Sequence, residues 1–230
     1  LWLDDGIGAI LNKLKETGAL ENTVIFFIND HGVEKGKGTL YDGGIKTVSF
    51  AWGPKYFKSG IKSKQLVSNI DMVPTALELA KVDPKKAYKI DGISMLPLLQ
   101  GKDKPIHESL YFELGATRAV IKDGYKYLSF KAPQSIKNKL EKNGKKATHI
   151  CDKPGGRGSE SPALKFYAKN YFDSDQLYDL SADPKEQQNL YGEFKNSIKL
   201  YDLKKTLQSY VDQVPGTFPI DLKKPSKLKG

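Results

Sequence analysis

The sequence predicts an α/β fold in its first part, followed by a smaller sheet with a packed helix. Two patterns support this: helix, strand, loop, strand and helix come first, and short strands dominate after about residue 105. The chain has 230 residues, which is long enough to bury a sizeable core. Apolar residues make up 39%, and no apolar run approaches the roughly 20 residues of a membrane span. We therefore expect a globular protein with no transmembrane helix.

The first part contains two predicted helices and two predicted strands. Apolar residues recur at helical spacing over residues 4–18, which predicts an amphipathic helix. The continuously apolar run at residues 23–28 is typical of a strand covered on both faces. A glycine-rich polar loop then leads to a second strand at residues 48–52, and Asp71 is placed to cap a further helix.

Short strands and one helix are predicted in the second part. The Asp123-Gly124 pair between two apolar runs is a strong hairpin signal. Residues 131–163 are rich in Lys, Asn and Gly, and we interpret them as a long polar excursion. The remaining predicted elements are strands at 109–113, 119–122, 125–128 and 176–180 and a final helix at 194–211.

Basic residues outnumber acidic ones, 37 to 27, which gives a formal net charge of +10. A positive field of this size attracts anionic partners such as nucleic acids, sulfated or carboxylated glycans and acidic lipids. The lysines are densest at 131–146 and 223–229, where solvated loops and tails are the commoner explanation. Cys151 is the single cysteine, so no intrachain disulfide forms and thiol counting assigns no compartment.

Three side chains near the first strand are candidates for chemistry. Asp30 and His31 follow this strand directly, where they could bind a divalent cation or act as acid and base. An equally good interpretation makes Asp30 a turn cap and His31 an exposed side chain. Lys37 lies between two glycines and suits an anionic oxygen, although a flexible surface lysine is the commoner case. It is not part of a G-x-x-x-x-G-K-[ST] phosphate loop, and no helix is predicted directly after it.

Ordered motifs along the chain resemble those of one enzyme family. The string N-D-H-G at residues 29–32 precedes G-K-G-T-L-Y-D-G-G-I-K at residues 36–46, and further motifs follow at 71–75, 91–99, 118–128 and 177–190. Together they resemble the second half of a formylglycine-dependent sulfatase, in which S-D-[NH]-G precedes G-K-G-x-x-Y-E-G-G-[VI]-R. The motif at 177–190 is similarly close to L-Y-D-L-x-x-D-P-x-E-x-x-N-L.

The resemblance implies an α/β fold like that of alkaline phosphatase. A mixed sheet would lie between helices, followed by a small four-stranded antiparallel sheet with a packed helix. Residues 1–106 would be the second part of the catalytic α/β domain. Residues 107–230 would form a C-terminal α+β subdomain that borders the substrate cleft.

The resemblance also implies roles for the candidate residues in hydrolysis of a sulfate ester. Asp30 would be a ligand of an active-site calcium ion. His31 stands where the family has a neighbouring ligand, but contact with the sulfate is the alternative because calcium prefers oxygen ligands. Lys37 matches the lysine that contacts the sulfate ester and supports charge on the leaving oxygen. Lys46 replaces the family's usual arginine, and we interpret it as structural.

The sequence departs from the family pattern at the nucleophile. The family converts the Cys or Ser of a C/S-x-P-x-R motif to formylglycine, and no such motif is present. The segment 151–157 has an extra residue in both gaps, and Asp4 and Asp5 fit a solvated helix start better than a metal-binding pair. We therefore expect no nucleophile in this chain. The formylglycine would lie in an N-terminal part of the same sulfatase, on a separate or unobserved segment.

The expected partner is a sulfated polysaccharide or oligosaccharide, with no nucleic acid and no membrane span. The resemblance implies a periplasmic or secreted protein, although no signal peptide is visible in this chain. One alternative is a phosphodiesterase or phosphonate hydrolase of the same superfamily. Another is a non-catalytic polyanion-binding protein, whose site would involve Lys46, Lys102 and the C-terminal lysines.

Overall fold

The computed structural model describes residues 2–32, 35–83, 90–132, 134–135, 138, 162–167 and 169–225. Contacts divide the chain into two compact units. The first comprises Leu1–Ile28 and Ser49–His107, and the second comprises Asn29–Val48 and Glu108–Gly230. The glycine-rich loop between the first two strands, residues 29–48, therefore belongs to the same unit as the C-terminal sheet. The functional division at residues 106 and 107 stays a prediction.

The predicted helices and strands occur in the predicted order, together with short helices that the sequence did not predict. In the described residues the α-helices are α1 Trp2–Glu16, α2 Asp42–Ile45, α3 Met72–Leu79, α4 Leu96–Leu99, α5 Pro162–Phe166, α6 Tyr191–Phe194 and α7 Ile198–Val211. The strands are β1 Ile25–Ile28, β2 Ser49–Trp52, β3 Ser109–Leu114, β4 Thr117–Lys122, β5 Tyr125–Phe130 and β6 Asp175–Asp179. The short helix α2 lies inside the glycine-rich loop, where the sequence predicted none. Among the described residues, no helix has the length and apolar character of a membrane span.

The strand pair of the first unit is less buried than predicted. β1 and β2 are antiparallel, with Ile25 opposite Trp52 and Ile28 opposite Ser49. The prediction that β1 is covered on both faces is wrong, because its first three residues are half-buried and Ile28 is exposed. The physical reason is that, within the described part of the chain, β1 pairs only with β2 and α1 contributes no buried residue.

Asp71 organises the rest of the first unit. It directly precedes α3, as predicted, but its side chain makes no cap bond to that helix. The fully buried carboxylate instead accepts hydrogen bonds from the Ser68 and Ile93 amides, at 2.7 and 2.9 Å, and from Nε2 of His107 at 2.9 Å. The carboxylate therefore joins three segments of this unit, and His107 has a structural partner.

The second unit is built on a four-stranded antiparallel sheet in the order β3-β4-β5-β6. The Asp123-Gly124 hairpin is confirmed: Lys122 lies opposite Tyr125, and the two turn residues have φ values of 50° and 77°. Positive φ at both positions is what a tight two-residue hairpin requires. Side chains alternate between the two faces of the sheet, so each face has its own core.

One face packs against α7 and the other against the glycine-rich loop. Ser197 begins α7 by accepting a hydrogen bond from the Leu200 amide at 3.1 Å. The core on the α7 side contains Val120, Tyr127, Leu177, Leu200, Leu203 and Leu207. The core on the opposite side contains Ala119, Leu128, Phe130 and Tyr178 from the sheet and Leu40, Tyr41, Tyr167 and Tyr171 from outside it. The loop is thus a packed part of this unit.

Candidate active site

Backbone contacts hold the glycine-rich loop in a compact form. The amide of Gly32 donates a hydrogen bond to the carbonyl of Gly44 at 2.8 Å. A Cβ added to Gly36 would lie 2.4 Å from backbone atoms of Gly43 and Gly44, and one added to Gly32 would lie 2.4 Å from the carbonyl oxygen of Gly43. Such distances leave room only for hydrogen, so these positions require glycine. The first arm of the loop, which contains Gly32 and Gly36, therefore contacts the second arm, which contains Gly43 and Gly44, backbone to backbone.

Lys37 lies in a tight turn of this loop. The hydroxyl of Thr39 donates to the carbonyl of Gly36 at 2.6 Å, and the Thr39 amide donates to the same oxygen at 3.0 Å. Gly38 adopts a φ of 79°, which favours glycine. Thr39 is buried whereas Lys37 is exposed. The turn therefore presents the ammonium group to solvent from a fixed backbone.

Asp30 and His31 lie at the start of the same loop. The Asp30 side chain is 85% exposed, and its Oδ2 lies 3.5 Å from Nε2 of His31. Nδ1 of His31 lies 2.6 Å from the carbonyl oxygen of Gly32, so it must donate its proton there. In the neutral imidazole, Nε2 therefore keeps its lone pair. A carboxylate and an acceptor nitrogen are thus available side by side.

These donors fit part of a calcium site. The exposed Asp30 carboxylate is the oxygen ligand that calcium prefers, whereas the His31 nitrogen suits calcium less well. Among the described residues, no group of three or more His, Cys, Asp or Glu side chains is arranged to hold a metal ion. Among the described residues of this loop, Asp30 offers an exposed carboxylate that could hold calcium, and His31 is better suited to an anion when protonated.

A buried ion network anchors the loop to the sheet, and sequence analysis missed it. Nζ of Lys126 lies 2.5 Å from Oδ1 of Asp42 and 2.7 Å from Oε1 of Glu186, and the Lys126 and Glu186 side chains are fully buried. The Asp42 amide donates to Oε2 of Glu186 at 2.6 Å. Burial raises the pKa of Glu186, and Lys126 opposes that rise. All three residues lie inside the motifs at 36–46, 118–128 and 177–190.

Tyr41 provides the apolar anchor of the loop. It is fully buried, and its ring stacks on Tyr167 with the centroids 3.8 Å apart. Its hydroxyl donates to Oε1 of Gln176 at 2.8 Å, an oxygen that also accepts from Tyr178 at 2.7 Å. Burial raises the pKa of Tyr41 well above its ordinary value, so the phenol stays protonated. Tyr41 therefore anchors the loop to the sheet of the second unit.

The other candidates of the sequence analysis do not join this site. Asp4 and Asp5 are exposed in the first turn of α1, as predicted for a solvated helix start. Cys151 and the segment 151–157 lie outside the described residues. Lys46 is largely exposed and lies 3.6 Å from Oδ2 of Asp42, an ion pair that fits its predicted structural role.

Solved structures of other proteins share the fold of this chain. A structure solved in complex with its substrate D-glucosamine-2-N,6-O-disulfate matches with a TM-score of 0.65 and 24% identity, over 91% of this chain and 38% of that chain. The phosphonate monoester hydrolase of Agrobacterium radiobacter matches with a TM-score of 0.62 and 20% identity, over 91% of this chain and 39% of that chain. At these identities the similarity establishes the fold alone.

Sequence similarity narrows the assignment further. The profile of the family described as Sulfatase matches residues 1–82. An ulvan-active sulfatase of Formosa agariphila is 32% identical over 189 residues, covering 77% of this chain and 35% of the relative. The N-acetylglucosamine-6-O-sulfatase of Bacteroides thetaiotaomicron is 27% identical over 239 residues, covering 100% of this chain and 37% of the relative. The chain belongs to the sulfatase family, and it spans about a third of the length of these curated relatives.

Proposed function

We propose that the protein is a sulfuric ester hydrolase that removes sulfate from a sulfated polysaccharide or oligosaccharide. The observation that carries the proposal is the exposed Lys37, held by a rigid glycine turn in the loop that also bears Asp30 and His31. Membership of the sulfatase family supports the reaction class. The substrate class rests on the net charge of +10 and on relatives named for ulvan and for N-acetylglucosamine 6-sulfate.

Asp30, His31 and Lys37 have distinct roles in the proposed reaction. Lys37 stabilises negative charge on the bridging oxygen as the S–O bond breaks, which is preorganised electrostatic catalysis. The hydrogen bond from Nδ1 to the Gly32 carbonyl restrains the His31 ring and leaves Nε2, beside Asp30, for contact with a ligand. When protonated, this nitrogen donates a hydrogen bond to a sulfate oxygen. Asp30 supplies a carboxylate oxygen to calcium, and a bound calcium ion would polarise the sulfate oxygens.

The nucleophile is proposed to lie outside this chain. A formylglycine, when present, would supply the attacking oxygen, and we place it in an N-terminal part of the same sulfatase. Exposed apolar side chains of the first unit support a missing partner segment: Trp2 is 93%, Ile10 62% and Phe50 52% exposed. We expect that segment to pack on α1 and on the β1–β2 pair. By the same family argument, we propose a periplasmic or secreted location.

The test compares two lysines of one loop in the intact protein. Lys37→Ala should lower kcat on a sulfated oligosaccharide by about 10²-fold or more, because one oxyanion-stabilising group is lost. Lys35→Ala is the matched control, since Lys35 is also exposed and its Nζ lies 5.6 Å from the ring centre of Phe166. That variant should keep kcat within about twofold. Chelation of calcium should abolish turnover, and readdition should restore it.

Mass spectrometry of the same material tests the proposed nucleophile. A peptide with the C/S-x-P-x-R pattern whose Cys or Ser has been converted to formylglycine would support the proposal. Retention on heparin that survives both Lys37→Ala and chelation, with no turnover of any sulfate ester, would instead support a non-catalytic polyanion-binding protein.

A phosphodiesterase or phosphonate hydrolase is the second candidate, because the phosphonate monoester hydrolase has the same fold. Matched sulfate, phosphate and phosphonate esters of one leaving group separate the two functions. The sulfatase proposal predicts the highest kcat/KM on the sulfate ester. A higher value on the phosphonate would reverse the assignment.

A further inference from the structure

We infer that the buried network of Lys126, Asp42 and Glu186 positions the loop that carries Asp30, His31 and Lys37. The three network members are positioning residues, because they act through the loop backbone and not on the substrate. The catalytic consequence rests on the proposed function, whereas the structural coupling does not.

The charges of the network hold Asp42 in one position relative to β5. Lys126 contacts both carboxylates, and each carboxylate uses one oxygen for this contact. One cation and two anions leave an excess negative charge, which Lys46 compensates from the surface, 3.6 Å from Oδ2 of Asp42. Because a charge excluded from water must keep its partner, the carboxylates cannot drift away from the ammonium group. Asp42 therefore has one favourable position relative to β5.

A second bond fixes the direction of the loop at the same residue. Oε2 of Glu186 accepts the backbone amide of Asp42, which is the first residue of α2. Glu186 itself adopts a positive φ of 54°, an uncommon conformation for a residue with a side chain. The Asn170 side chain holds the next residue by donating to the carbonyl of Gln187 at 3.0 Å. The Glu186 carboxylate is thus presented from a constrained backbone.

The position of Asp42 passes to the candidate site through backbone contacts. α2 extends from Asp42 to Ile45, and the carbonyl of Gly44 in this helix accepts the amide of Gly32. Gly32 directly follows His31. Gly36, which directly precedes Lys37, is packed against Gly43 and Gly44 without space for a methyl group. A displacement of α2 therefore moves both arms of the loop.

Buried ion networks are not required for stability alone, because apolar replacements of similar volume are often as stable. A structural role and a positioning role therefore predict different results for one set of variants. Glu186→Gln keeps an acceptor for the Asp42 amide but removes the charge that faces Lys126. Asp42→Asn removes the other charge. Tyr127→Phe is the matched control, since Tyr127 follows Lys126 on β5, faces α7 and loses hydroxyl contacts with Asp175 and Ser129 but none with the network.

Hydrogen–deuterium exchange of the intact protein tests the coupling without reference to activity. In Glu186→Gln and Asp42→Asn, we expect the Gly32 amide to exchange at least about tenfold faster, with unchanged protection of the β4 and β5 amides. Tyr127→Phe should leave Gly32 exchange unchanged. Equal Gly32 exchange in the wild type and the network variants would overturn the inference. Equal acceleration of Gly32, β4 and β5 amides would also overturn it, because that pattern is general destabilisation.

A double-mutant cycle with Lys37 tests the catalytic consequence. If the network positions Lys37, then Lys37→Ala should lower kcat less than about tenfold in the Glu186→Gln background, against about 10²-fold in the wild type. A role in folded stability alone would give the full effect in both backgrounds and would contradict positioning of Lys37. If the protein turned over no ester, the proposed function would fail while the exchange experiment still decided the coupling.

Discussion

Gly36→Ala should disrupt the candidate site by opening the glycine-rich loop. The added Cβ would lie 2.4 Å from backbone atoms of Gly43 and Gly44, whereas ordinary contact begins at 3.4 Å. The two arms must therefore separate by about 1 Å, because the nearest atoms are backbone atoms, which cannot rotate away as a side chain could. A misplacement of this size can lower a catalytic rate about 10²-fold. Overpacking of this kind also lowers the free energy of unfolding by about 1–3 kcal/mol.

The assay for Gly36→Ala is kcat/KM on a sulfate ester, together with urea unfolding of the same preparation. Gly192→Ala is the matched control, because Gly192 lies inside α6, in the same unit as the loop, with nothing within 4 Å of an added Cβ. Alanine in a helix interior should raise the free energy of unfolding by about 0.5–1 kcal/mol and leave kcat/KM unchanged. The reasoning would be refuted if Gly36→Ala kept both its wild-type activity and its wild-type stability.

Two further predictions concern the second unit. Leu207→Ala removes a fully buried side chain between α7 and the sheet. The free energy of unfolding should therefore fall by about 2–5 kcal/mol at an unchanged urea m-value. A change below about 1 kcal/mol would mean that this core is not packed as described. Hydrogen bonds from the Ala182 and Ser181 amides lower the pKa of Asp179. The ionised Asp179 side chain therefore contributes to stability above its unfolded pKa of about 3.8, and this contribution is lost as the pH falls through the folded pKa. Urea unfolding should therefore separate the wild type from Asp179→Asn at pH 7 more than at pH 3, and an equal difference at both values would contradict this linkage.

Local sequence patterns were sufficient for much of the fold. Helical periodicity predicted α1, and the Asp123-Gly124 pair predicted the β4–β5 hairpin because its chemistry is contained in a few adjacent residues. The motif at 36–46 likewise located the exposed Lys37 in a glycine turn, since close backbone approach depends on the glycines themselves.

Features that depend on distant partners could not be read in this way. Lys126 lies on a strand, where alternation alone does not reveal that its ammonium group is buried. Its partner Asp42 is 84 residues away, and Asp42 meets Glu186 across 144 residues. The burial of β1 was overestimated for the same reason. An apolar run indicates that a strand is suited to burial, but it does not reveal which elements pack against that strand. Asp71 was recognised as a helix start, yet its bonds to Ile93 and His107 depend on tertiary structure.

The path of the chain between the two units has a consequence for any dissection of this protein. Residues 29–48 are encoded between β1 and β2 but fold with the C-terminal sheet. A fragment that ended at residue 107 would contain every proposed catalytic and metal-binding residue of this chain and would still lack the sheet that shapes their loop. Substitutions far along the sequence, at Lys126 in β5 or at Glu186, should accordingly impair turnover while the surface around Lys37 is chemically intact.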